Sequence, residues 1–163
     1  MKQTYRVVAG LVALGVVVQA SAIAFGWFDA LNKIDHGLVV DKNYDGNVGH
    51  AIHGLNGMYI MPLLGLILLV VSFFAAKTVP GARKWAGIVF GLIVLQIVLA
   101  FVAFGAPVVG ALHGINALLV FGAAVRASML TRESAGRPSG QGPVDVPRQS
   151  TGPSVSTETT HPA

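Results

Sequence analysis

The stretch from His50 to Ala76 reads HAIHGLNGMYIMPLLGLILLVVSFFAA. It contains no Asp, Glu, Lys or Arg, and it is longer than the roughly 20 apolar residues that cross the hydrocarbon core of a bilayer. Its only helix breaker is Pro62, and neighbouring helices can bond the backbone carbonyl that a proline leaves free. The stretch therefore predicts a membrane-spanning helix with a kink near Pro62.

Three other apolar segments accompany this one, at about residues 7–28, 85–104 and 107–130. Hydrophobic residues make up 53% of the 163-residue chain and charged residues only 11%, against roughly 25% charged residues in a soluble domain. The fold prediction is all-α, an integral membrane four-helix bundle over residues 1–132. Residues 133–163 are rich in Pro, Gly, Ser and Thr, which predicts a disordered cytoplasmic tail.

The positions of Lys and Arg predict the orientation in the membrane. Nine of the eleven lie in the leader before Val7, in the turn over residues 77–84, or after Val125. Because Lys and Arg concentrate on the cytoplasmic side, both termini are expected there, in the plasma (inner) membrane of a bacterial cell. The formal net charge of +4 then reflects topology, and the lipid bilayer rather than a nucleic acid is the expected partner.

The chain contains an internal repeat. Arg83, Gly87 and Gln96 each lie 77 positions after Arg6, Gly10 and Gln19. His113 and Asn116 lie 60 positions after His53 and Asn56, because a short turn replaces the long first loop over residues 29–49. Two helical hairpins are thus predicted, parallel and related by an axis along the membrane normal, with His53 facing His113 at the outer side.

Ionisable groups inside a membrane span are expensive and suggest a functional site. Two opposed imidazoles in a helical bundle suit a b-type haem with His53 and His113 as axial ligands, for electron transfer or haem handling. A ligating imidazole needs a hydrogen-bond acceptor for its second nitrogen. The candidates for supporting the two ligands in this way are Asn56, Asn116 and His50. A respiratory or other membrane complex is the expected protein partner.

Two other interpretations compete with haem. In the first, the protein is a non-catalytic accessory or scaffold subunit without a cofactor, whose His and Asn pairs only hold helices together. In the second, which we rank third, His50, His53 and His113 bind zinc or copper, although no carboxylate lies near these helix ends. Two further interpretations of His50 are that it is simply a loop residue or that it carries protons at the outer surface. His36 lies in the loop and is expected to be solvated.

The sequence lacks the residues that several other kinds of functional site require. The absence of cysteine excludes disulfides, iron–sulfur clusters and thiolate zinc sites. Residues 41–48 match the first half of a calcium-binding loop, but Ile52 stands where the closing glutamate belongs, so a polar turn without metal is expected. No carboxylate lies within a predicted span, and no nucleophile with a base is recognisable, so whether the protein is an enzyme is left open.

The chain resembles two families. The Val17-Val18-Gln19-Ala20 run, the His53–Gly57 phrase followed by Pro62-Leu63-Leu64, and the run from Leu112 to Leu118 resemble an uncharacterised family of small actinobacterial four-helix membrane proteins, a domain of unknown function. The layout is also similar to one four-helix half of haem A synthase. That resemblance implies haem near His53 and His113, although His50 replaces a glutamate of that enzyme.

Overall fold

A computed structural model describes residues 1–134, and these are entirely helical apart from their turns. The elements are α1 (Lys2–Asp35), α2 (Val48–Leu55), a π-helical turn (Asn56–Ile60), α3 (Met61–Ala75), α4 (Ala82–Gly105) and α5 (Val109–Glu133). Because α2, the π-helical turn and α3 form one continuous rod, residues 1–134 hold four helices long and apolar enough to cross a membrane. The predicted tail lies outside the described residues.

The helices pack as a bundle in which each has two neighbours. Helix α1 packs against the α2–α3 rod and against α5, while α4 packs against α3 and α5. This order of neighbours places α1 across the bundle from α4, and α3 across from α5. The all-helical bundle agrees with the fold class predicted from the apolar segments.

The packed core occupies only one half of the bundle. We call the half that contains Tyr5 and Ala82 the closed end, and the half that contains His53 and His113 the open end. Small residues such as Ala9, Ala86 and Ala124 are fully buried at the closed end, where they let helix backbones approach closely. The Tyr5 hydroxyl donates a buried hydrogen bond of 3.1 Å to the carbonyl of Ala82. Only the closed end is therefore filled by side chains of all four helices.

Helix α1 is longer than the predicted apolar segment, since it begins at Lys2 and ends at Asp35. At about 1.5 Å per residue, its 34 residues exceed the roughly 30 Å of a hydrocarbon core. The extra turns from Asp29 onward are polar, and Lys33 Nζ lies 2.9 Å from Asp29 Oδ2. The Lys33 hydrogen bond lowers the pKa of the Asp29 carboxyl. Helix α1 thus extends beyond the predicted boundary at about residue 28, with an ion pair in its added turns.

The π-helical turn lies directly before Pro62, the position at which the sequence predicts a kink. In that turn the Met61 N–H donates to the carbonyl of Asn56, five residues back, immediately before Pro62. Proline lacks an N–H and its ring crowds the carbonyl four residues earlier, so a wider turn relieves the crowding. Turns of this kind recur at functional sites.

Candidate functional site

His53 and His113 face each other at the open end. His53 lies on α2 and His113 near the start of α5. Their ring centroids are 6.4 Å apart, and the ring planes are inclined by 55°. The structure thus brings together the two histidines that the sequence singles out.

Each imidazole is held by a backbone carbonyl of the preceding helix. His53 Nδ1 lies 3.1 Å from the carbonyl of Gln19, and His113 Nδ1 lies 3.1 Å from the carbonyl of Gln96. A carbonyl only accepts, so in both rings Nδ1 carries the proton and donates it. The Nε2 lone pair of each neutral ring is left free to bind a metal.

The two asparagines bond to the same helices one turn further towards the closed end. Asn56 Nδ2 donates to the carbonyl of Gly15 at 3.1 Å, and Asn116 Nδ2 donates to the carbonyl of Leu92 at 2.9 Å. Asn116 Nδ2 also lies 2.6 Å from Gln96 Oε1. These amides therefore hold helices together, and backbone carbonyls are the acceptors that the two imidazoles use.

The side chains of Gln19 and Gln96 differ in their hydrogen bonding. Gln96 accepts from Asn116 and donates through Nε2 to the carbonyl of His113 at 2.9 Å. The side chain of Gln19 lies against Gly57, where Ala117 stands in the other hairpin, and its buried Oε1 has no hydrogen-bond partner among residues 1–134. A buried amide oxygen without a partner is costly. Gln19 is also one of the residues that line a cavity at this end.

A largely apolar cavity of about 440 Å³ lies at the open end, and both histidines line it. Its floor is Val16, Met61, Ile93 and Val120, where the packed core of the closed end stops. Its walls come from all four spans. Its lining includes His53, His113, Gly54, Gly114, Phe101 and Phe104. The cavity falls within the range of small-molecule and cofactor sites.

A glycine follows each of the two histidines. A Cβ built on Gly54 or on Gly114 would meet no atom within 4 Å, apart from those of its chain neighbours and its own helix backbone. Both glycines line the cavity, so the chain leaves open space directly beside each imidazole.

His50 lies outside the cavity lining and belongs to a rim cluster made of Trp27, Asp29, Tyr44, Asn47 and His50. Asn47 caps α2 by accepting from the N–H groups of Gly49 and His50, and its Nδ2 donates to Asp29 Oδ2 at 2.7 Å. The rings of Trp27 and Tyr44 meet the His50 imidazole edge-on, with centroids 5.1 and 6.1 Å away. Sequence reasoning singled out only His50. The sequence signal for Asn47 is the capping-box pattern, in which it lies three residues before His50.

Metal ligands are sparse in this part of the chain. Across residues 1–134, no three His, Cys, Asp or Glu side chains come together as a ligand set. In the loop with the partial calcium pattern, Asp41 Oδ1 accepts from the N–H of Asn43 at 2.8 Å, as in a polar turn. His36 is exposed, and its Nδ1 lies 2.8 Å from the carbonyl of Asn32.

No protein-family model, curated protein or solved structure matches this chain. The chemistry of the site therefore has to be argued from its own residues, which place two imidazoles at the wall of a largely apolar cavity.

Proposed function

We propose that this is a multi-pass membrane protein that binds one b-type haem between His53 and His113 and serves in electron transfer or haem handling. The observation that carries the proposal is the paired imidazoles, each fixed through Nδ1 and separated by 6.4 Å between ring centroids. When bound, haem supplies reversible one-electron chemistry at its iron.

The separation of the two rings suits a single iron between them. A metal–imidazole bond is about 2 Å long and the ring centre lies about 1 Å beyond the nitrogen, so two axial imidazoles have centres about 6 Å apart. The observed 6.4 Å is close to that value.

The number of ligands also favours haem over a bare metal ion. Only two imidazoles converge, and no third ligating side chain joins them in residues 1–134. Zinc in proteins takes three or four protein ligands. Haem iron is already bound by four nitrogens of its macrocycle. It would therefore need only two protein ligands, which is the number of imidazoles at this site.

The cavity supports the same ligand. It is walled by apolar side chains, and the open space beside Gly54 and Gly114 flanks both imidazoles. The chain's own residues then have distinct tasks. The carbonyls of Gln19 and Gln96 fix the ring orientations and raise the basicity of the ligating nitrogens, and the apolar wall excludes water. The layout similar to half of haem A synthase is consistent with this proposal.

Orientation and duplication belong to the same proposal. Tyr5 and its bond partner Ala82 stand at equivalent positions 77 residues apart, as do Gly15 and Leu92, which accept from the two asparagines. These paired contacts support two duplicated parallel hairpins. With Lys and Arg concentrated at the closed end, both termini lie in the cytoplasm and the haem site lies near the outer face of the plasma membrane. A respiratory or other membrane complex is the corresponding partner.

One observation favours the alternative, a scaffold subunit without a cofactor. Every side-chain hydrogen bond of the two histidines and of Asn56 goes to a helix carbonyl. Side chains that only hold a membrane bundle together bond in the same way. This alternative leaves the cavity and the free Nε2 atoms without a role.

The reduced-minus-oxidised absorption spectrum of the detergent-purified protein separates the two. We expect a Soret and an α band in the wild type, lost in both His53→Ala and His113→Ala. His36→Ala is the matched control, because His36 is exposed on the loop, and it should keep both bands. A folded, colourless wild type expressed with ample haem would establish the scaffold alternative.

A further inference from the structure

The two hairpins are closed within themselves at the open end, but they separate from each other there. Helix α2 is bonded to α1 through the His53 ring and the Gln19 carbonyl, and α5 is bonded to α4 through the His113 ring and the Gln96 carbonyl. Across the hairpins, α3 packs against α4. Within residues 1–134, however, neither α2 nor the π-helical turn packs extensively against α4. A cleft therefore lies between α2 and α4 at the open end.

The α4 side of this cleft continues the face of α4 that contacts α3. A Cβ built on Gly65 of α3 would lie 2.8 Å from Ile93 Cδ1, so Ile93 marks that face. Ile97, Phe101 and Phe104 follow it by four, eight and eleven residues, which keeps them on the same side of a helix. All three line the cavity. Beyond α3, this face of α4 thus borders open space.

The cavity extends further along α4 than along α1. Its lining on α4 includes Phe101 and Phe104, and α4 ends at the next residue, 105. The equivalent residues of α1, 77 positions earlier, are Ala24 and Trp27, and neither lines the cavity. Trp27 packs against His50 of the rim cluster, with ring centroids 5.1 Å apart. The cavity therefore opens on the α4 side of the bundle.

The side chains at the mouth of the cleft are apolar and exposed, although they line the cavity. Phe104 is 87% exposed and Phe101 58% on α4, and Met58 is 42% exposed on the opposite side. No charged residue lies in α2, the π-helical turn or α3, or in α4 after Lys84. In a bundle that spans a membrane, exposed apolar surface of this kind faces lipid chains. The mouth of the cavity is therefore open to the bilayer.

We propose that the cleft between α2 and α4 is a lateral entrance, through which haem passes between the bilayer and the cavity. This inference rests on the proposed function for the identity of the ligand. Gly54 lies on the α2 side of the route, where a built Cβ would meet no atom within 4 Å, so no side chain separates the cleft from the His53 imidazole there. A macrocycle dissolved among lipid chains then reaches both histidines without crossing the packed closed end.

The test bridges the cleft chemically. The chain has no cysteine, so Met58→Cys combined with Phe101→Cys supplies one thiol on each side and no other. The full chain in phospholipid vesicles is treated with a bis-maleimide, which bridges the thiols, or with N-ethylmaleimide, which caps them singly. Haem dissolved in the vesicle bilayer is then offered. We expect the bridge to slow the growth of the Soret band at least about tenfold relative to the capped protein, because association slows when binding requires a conformational change.

An entrance also controls exit, which distinguishes it from a damaged site. Bridging after haem has been loaded should slow haem release to a soluble apo-haem protein by a similar factor. A linker that only crowds the binding site would slow uptake but hasten release.

The matched control bridges the other side of the bundle. Ala24→Cys combined with Leu118→Cys places thiols at the equivalent positions of α1 and α5, and the bis-maleimide there should leave both rates equal to those of the capped protein. Trypsin cleavage in the basic turn over residues 77–84, which lies between the members of both pairs, measures the cross-linked fraction.

Three results overturn the lateral entrance and leave the haem proposal standing. They are rates that the bridge between positions 58 and 101 does not change, equal slowing in the control pair, and slower uptake accompanied by faster release. A wild type that takes up no haem from the vesicles or from detergent overturns the entrance and the haem proposal together.

Discussion

His53 and His113 lie on opposite helices with their ring centroids 6.4 Å apart, and a backbone carbonyl holds each ring, that of Gln19 for His53 and that of Gln96 for His113. Both rings therefore carry a proton on Nδ1 and donate it to a helix backbone. This arrangement needs no ion pair inside the bundle. Because the two acceptors are backbone atoms, the distance between the rings does not easily change when side chains move.

Filling the space beside the imidazoles should block the cofactor without harming the fold. In Gly54→Leu or Gly114→Leu the new side chain starts from a Cβ that meets no atom, and both positions line the cavity. We expect haem content to fall by more than tenfold while the thermal unfolding midpoint in detergent stays within a few degrees. Gly87→Leu is the control, because Gly87 also has open space but does not line the cavity. Equal haem content in all three variants would place the ligand elsewhere.

The contact between α1 and α2 depends on a glycine. A Cβ on Gly49 would lie 2.6 Å from the carbonyl oxygen of Ala22 and 2.7 Å from Gly26 Cα, and backbone atoms cannot move aside cheaply. We expect Gly49→Ala to destabilise the protein by about 1–3 kcal/mol, as overpacking does. Gly10→Ala, at a position with nothing within 4 Å, should be neutral or slightly stabilising. Unfolding in a mixed detergent series measures both, and equal stability of the two variants contradicts the close approach.

The two asparagines should differ in importance. Asn116 is buried and donates to both the Leu92 carbonyl and Gln96 Oε1, while Asn56 makes one bond, to Gly15. Because interhelical hydrogen bonds in membranes average about 0.6 kcal/mol and reach about 1.7, Asn116→Leu should cost about twice as much as Asn56→Leu. The same unfolding measurement decides this. A larger loss in Asn56→Leu would mean that the Gln96 bond contributes nothing.

The buried Tyr5 hydroxyl should stabilise the closed end. Tyr5→Phe removes the 3.1 Å bond to the Ala82 carbonyl and leaves that carbonyl without this donor. We expect a loss of about 0.5–1.5 kcal/mol. Tyr59→Phe, where the ring is exposed, should change nothing measurable. An unaltered midpoint in Tyr5→Phe would show that the hydroxyl is not holding α1 to α4.

Apolar length and periodic polar residues predicted much of this molecule. Uncharged runs as long as His50–Ala76 have few alternatives to a spanning helix, so the helical bundle followed directly. The pairing of His53 with His113 was expected from the matching phrases, because residues at equivalent positions of two similar hairpins meet near a common axis. Both inferences depend on strong, repeated patterns.

Other features depend on tertiary contacts that leave little trace in one sequence. The end of α1 is stabilised by the Asp29–Lys33 pair and by Asn47 of the loop, so the helix continues past Phe28, where the predicted apolar segment ends. The acceptors for the imidazoles are backbone carbonyls, and backbone atoms have no residue identity for a motif to reveal. The open space beside Gly54 depends on where the other spans lie, which composition does not encode.

The most direct test is carbon monoxide binding to the reduced, haem-loaded wild type, followed by absorption spectroscopy. With both axial positions filled by His53 and His113, we expect a low-spin spectrum that carbon monoxide leaves unchanged, and a carbon monoxide adduct in His53→Ala or His113→Ala, whose iron has an open position. A wild type that binds carbon monoxide readily, or that takes up no haem at all, would contradict the paired ligation.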